Sequence, residues 1–113
     1  MRNFFLIPTV LLFLQLSSGL AAVAGGRSEL LTRAKAGESR AQNKLAHLYQ
    51  DEKNYEEAFY WFNQGAQQGP SDTYYGDNAY SIGYMNFAGM GIAPDYVKAR
   101  EWYERSAEAN FHM

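Results

Sequence analysis

One stretch of this chain occurs twice, and the spacing between the copies limits the fold more than any other feature. Tyr55, Ala58, Trp61, Phe62 and Ala66 return as Tyr96, Ala99, Trp102, Tyr103 and Ala107 at an offset of 41, whereas Leu45-Ala46 returns as Ile82-Gly83 at an offset of 37. The difference places an insertion inside the second copy, where Phe87-Ala88-Gly89-Met90-Gly91-Ile92-Ala93-Pro94-Asp95 stands against the shorter Gln50-Asp51-Glu52-Lys53-Asn54. A partial upstream copy exists as well, because Ala34-Lys35-Ala36-Gly37 matches Ala66-Gln67-Gln68-Gly69 at an offset of 32. Periods of this size belong to solenoids of two-helix units, in which each hairpin buries its apolar face against the next.

Within the copies the apolar residues recur at three and four residue intervals, the period of a helix. Arg27 to Ala36 reads as a short helix stopped by Gly37; Ser39 to Gln50 carries Ala41, Leu45, Leu48 and Tyr49 on one face; and Tyr55 to Gln67 ends at Gly69-Pro70. After a polar link from Gly69 to Asp77 the pattern restarts with Ala79, Ile82, Met85 and Ala88, and from Asp95 to about Ala109 it follows an amphipathic helix. No stretch alternates long enough for a strand. The expected class is all-α: hairpins at about residues 39–69 and 76–110, preceded by a partial repeat at about 27–38.

The repeated residues have roles that follow from their size. Ala46, Gly83, Ala58 and Ala99 let two helices approach closely, and Trp61 and Trp102 supply large apolar areas between hairpins. Gly89 and Gly91 suit backbone angles that a side chain hinders, and Asp95 is placed to cap the helix that follows.

The pattern Leu45-Ala46-x-x-Tyr49, Tyr55-x-x-Ala58-x-x-Trp61-Phe62-x-x-x-Ala66-x-x-Gly69, then Ile82-Gly83, Gly89-x-Gly91-Ile92-x-x-Asp95-Tyr96-x-Lys98-Ala99-x-x-Trp102-Tyr103-x-x-x-Ala107, resembles the Sel-one-like repeat of the tetratricopeptide-like superfamily. The second copy is the closer match; the first has Asp51 to Asn54 in place of the glycine turn. The resemblance implies a short right-handed α–α superhelix that binds proteins or peptides, often in envelope or secretion-linked assemblies, and it implies no reaction.

The first 24 residues read differently. Arg2 precedes an apolar run from Phe4 to Leu16, followed by Ser17-Ser18-Gly19 and Ala22-Val23-Ala24, the three parts of a secretory signal cleaved after Ala24. Its apolar core is short for the roughly 20 residues of a membrane span. The expected product is residues 25–113, periplasmic or secreted, with no membrane contact after cleavage. Its nine Lys and Arg against twelve Asp and Glu argue against nucleic acid, and the absence of cysteine removes disulfides and thiolate chemistry.

Few residues suggest chemistry. His47 and His112 have no second ligand at helical spacing, and Gly89-x-Gly91 lacks the lysine and hydroxyl residue of a phosphate loop, so neither metal nor cofactor is expected. Tyr74, Tyr75, Tyr80 and Tyr84, with Asn78 nearby, cluster across the link and the following helix and form the candidate partner-binding set, with Tyr84 and Asn86 expected off the face of Tyr80. The last hairpin carries no polar cap, which leaves its C-terminal face open to a partner or to a homo-oligomer. The leading expectation is therefore a non-catalytic, exported protein- or peptide-binding module. An envelope enzyme or enzyme regulator using Glu52, Glu56 and tyrosines in a groove, and a structural fragment of a longer array, are the alternatives.

Overall fold

A computed structural model of the protein describes residues 26–111, the side chain of Phe111 excepted. The expected signal at residues 1–24 lies outside the described residues. The described chain is all helix and turn: α1 (26–35), α2 (Ser39–Asp51), α3 (Tyr55–Ala66), α4 (Tyr75–Ala88) and α5 (Tyr96–Phe111). The hairpins α2–α3 and α4–α5 stack in tandem, α4 lying on α3, as a short solenoid. No helix among the described residues is long and apolar enough to cross a membrane.

A single core runs along the stack. Leu45, Ala46, Ala58, Phe62, Ala79, Ile82 and Met85 are fully enclosed, with Trp61 beside them and Leu30, Leu31, Leu48 and Trp102 packed at its margin. Arg105 lies over the Trp102 ring at 4.5 Å from its centroid, so this tryptophan keeps one face toward a cation. Helix α1 is tied down by glutamines: Gln42 Nε2 donates to the Ala34 carbonyl at 3.0 Å and Gln68 Nε2 to the Gly37 carbonyl at 2.7 Å, which satisfies the end of that helix.

The turns follow from backbone chirality. Gly89, at φ +71°, ends α4 by donating to the Met85 carbonyl, and Asp95 Oδ1 accepts from the Lys98 amide at 3.0 Å to cap α5. Gly91, at φ +72°, lies directly on α3, where an added Cβ would stand 2.8 Å from that of Tyr55. The longer second turn is thus also a contact between hairpins. In the first hairpin, which lacks these glycines, Lys53 takes the left-handed conformation at φ +62°.

One boundary differs from expectation. The link read as extending to Asp77 ends earlier, because α4 begins at Tyr75. The Asp72 carboxylate accepts from the Tyr74 amide at 2.9 Å in the turn that leads into the helix, which starts four residues ahead of Ala79, the first apolar repeat position.

A candidate protein-docking surface

The two hairpins carry equivalent faces with opposite fates. Counting 37 residues along α2 and 41 along α3, Asn43, His47 and Gln50 correspond to Tyr80, Tyr84 and Phe87, and Tyr55, Ala58 and Phe62 to Tyr96, Ala99 and Tyr103. In the first hairpin α4 covers this face, and Phe62 is fully buried with the His47 ring edge-on at 4.9 Å. In the second hairpin no described residue covers it.

The covered joint is polar at one margin. His47 Nε2 lies 2.6 Å from Asp77 Oδ2, and Asn43 Nδ2 donates to the same oxygen at 2.6 Å and to Asn78 Oδ1 at 2.9 Å. The hydrogen bond to Asp77 raises the His47 pKa against the opposing effect of burial, and the same bond holds the Asp77 carboxyl below its ordinary range. His47 thus links α2 to α4.

The open face is aromatic. Of the six large apolar residues left exposed among the described residues, Tyr80, Tyr84, Phe87, Tyr96 and Val97 belong to the second hairpin and only Tyr60 to the first. Tyr80 lies 5.4 Å from Tyr103 and Phe87 5.6 Å from Tyr96, so the rings form a row across α4 and α5. The row borders a groove of about 530 Å³ lined by Phe87, Tyr96, Ala99, Tyr103 and Ala107, with Arg100 and Glu104 at its edge. Partial burial, then Tyr80 and Tyr84, raise the pKa of the Tyr103 hydroxyl. The expectation that Tyr84 leaves the face of Tyr80 is corrected: the two are one helical turn apart, and only Asn86 turns inward, donating to the Ile82 carbonyl at 2.9 Å.

The five residues proposed from sequence divide accordingly. Tyr80 and Tyr84 stand on the open face, 55% and 39% exposed. Tyr74 is partly buried at the start of α4. Tyr75 and Asn78 are buried, 7% and 0% exposed, and are not available to a partner. Tyr75 falls in the stretch that reads as link and Asn78 just after it; because α4 begins at Tyr75, both lie in its first turn and are buried, Asn78 against Gly65 of α3. Sequence reasoning missed Phe87, Tyr96 and Tyr103; their signal was the i, i+4, i+7 row Tyr80, Tyr84, Phe87 beside the equivalents of Tyr55 and Phe62.

The carboxylates of the enzyme alternative do not converge. The Arg27 guanidinium engages both oxygens of Glu52, and Glu56 is exposed in the first turn of α3. No group of three His, Cys, Asp or Glu residues among those described could hold a metal ion.

Tandem helical hairpins stacked face to face, with small residues at the crossings and a glycine turn in the second unit, define an α-helical repeat protein of the solenoid class. The chain matches the Sel1 repeat over residues 39–70 and 79–111, more than half of its length, and belongs to that family. A comparison with curated proteins and one with solved structures matched nothing.

Proposed function

We propose that this chain is a non-catalytic protein-binding module whose docking surface is the aromatic face of α4 and α5. The observation that carries the reading is the equivalence of the two hairpins: the face that α4 covers on the first stands open on the second, and there polar Asn43 and His47 give way to Tyr80 and Tyr84. Tyrosines offer large rigid contact area with a hydroxyl for the rim, which suits them to recognition. The repeat fold supports a protein or peptide partner.

The proposal includes export to the periplasm or exterior, supported by the order of charge, apolar run and small residues up to Ala24. Sequencing the N-terminus of the purified product tests this: Gly25 as first residue is expected, and an intact Met1 contradicts it.

Docking is tested by placing a photo-crosslinking amino acid at Tyr96, 67% exposed on the open face, or at Tyr60, 51% exposed elsewhere. Crosslinks to protein from position 96 and none from 60 are expected; equal yields contradict the reading.

A further inference from the structure

Resting on that reading, we infer that the occupant of the α4–α5 face is a second copy of the chain, docked through the same face about a two-fold axis. The groove carries its own complement. Arg100 and Glu104 stand one helical turn apart at its edge and pair with each other at 3.0 Å while 82% and 59% exposed. Two α5 helices crossing antiparallel bring Arg100 of each copy against Glu104 of the other. A partner with a single sign of charge at this edge leaves one of them opposed.

Shape follows the same symmetry. The register that pairs position 100 with 104 also brings the protruding Tyr96 to within one residue of the small Ala107 of the second copy, twice, as a two-fold interface requires. Ala99 lies on the groove floor with Tyr103 beside it, so the centre of the crossing is shallow.

Area agrees. The exposed parts of Tyr80, Tyr84, Phe87, Tyr96 and Val97 amount to on the order of 500 Å², a large share of the ~800 Å² each partner gives to a stable interface. The largest apolar patch on a typical monomer, about 300–600 Å², is often a functional surface.

The full chain, purified after export, should sediment at low salt as a monomer near 1 μM and increasingly as a dimer toward about 1 mM. Arg100→Glu and Glu104→Arg should each weaken pairing about tenfold or more, because two like-charged contacts replace two attractive ones. An equimolar mixture of the two variants should recover pairing, and so should the double swap R100E/E104R. Both positions are exposed, and unchanged helix content by circular dichroism confirms folding. A wild-type chain that stays monomeric throughout overturns the inference, as does a mixture that pairs no better than either variant alone. If the monomeric chain still crosslinks to another protein from position 96, only self-pairing is lost; if it does not, the docking reading falls with it.

Discussion

Asn78 fills the space that Gly65 leaves empty. A methyl group on Gly65 would collide with Asn78 Nδ2 and stand 3.0 Å from its Cγ. Asn78 has no room to yield: it is fully buried and its Oδ1 is held by Asn43. At the equivalent place in the first hairpin the chain carries Ala41, so the glycine is the counterpart of an enlarged residue on the facing helix. Asn78 Nδ2 finds no hydrogen-bond partner there, and the pair is held by packing.

Gly65→Ala should therefore destabilise the fold by about 1–3 kcal/mol through overpacking, read as a lower denaturation midpoint. Adding Asn78→Ala should restore part of that loss, because neighbours that share one space are not additive. Equal midpoints for G65A and wild type would contradict the close contact.

The two turns respond with opposite signs. Lys53→Gly should stabilise by up to about 1 kcal/mol, since a left-handed conformation is unfavourable for a residue with a Cβ. Gly89→Ala should destabilise by about 1–2 kcal/mol on the same ground, aggravated by Pro94 Cγ, which would lie 2.7 Å from the new methyl. Thermal melts of the two variants check both signs.

The joint between hairpins should weaken at alkaline pH. The folded pKa of His47 is raised above 6.5, so its contribution is complete below that value and is lost as pH climbs through the folded pKa. Asp77 is lowered below 3.8, so its contribution is present above that value and is lost as pH falls through the folded pKa. The pair is intact between those limits. Both side chains are about half exposed, 42% and 50%, which holds the effect to at most about 1 kcal/mol. The melting temperature should be higher at pH 5.5 than at pH 8.5, and His47→Gln should shrink that difference.

Ala99→Leu should cost about 1–3 kcal/mol, because Ala99 is 2% exposed at the crossing of α4 and α5. Gly83→Ala should cost less. Its methyl meets Tyr103 Cδ1 at 2.9 Å and the Ala99 carbonyl oxygen at 3.2 Å; the ring, the closer of the two, borders solvent and can move outward, and the carbonyl needs to give by only a few tenths of an ångström. The same displacement alters the docking face, so G83A should change binding more than stability. Parallel melts and crosslinking yields from position 96 separate the two effects.

The helices and their pairing were legible because they depend on spacing. The offsets of 37 and 41 located both hairpins, and Gly89, Gly91 and Asp95 take the turn and cap positions their chemistry suggested. The site was legible only in part. Tyr80 and Tyr84 stand exposed, but Tyr75 and Asn78 are buried, because α4 begins inside a stretch rich in Gly, Ser and Asp that reads as link and its first turn packs into the core. Tyr96 and Tyr103 read as the buried side of their helix, since periodicity marks an apolar face without telling whether another helix lies on it, and Phe87 reads as part of the turn although α4 runs on to Ala88. Which face stays open is decided by the order of stacking, visible only once α4 is seen to cover Phe62 and no described residue to cover Tyr103.

That asymmetry is the centre of the account, and side-chain footprinting in the working state tests it most directly. Hydroxyl-radical labelling of Phe87, Tyr96 and Tyr60 should be compared between the chain in its native fraction and the purified chain at high dilution. The account predicts that Phe87 and Tyr96 are labelled several-fold more slowly in the native fraction while Tyr60 is unchanged. Equal labelling of all three in both states would contradict it.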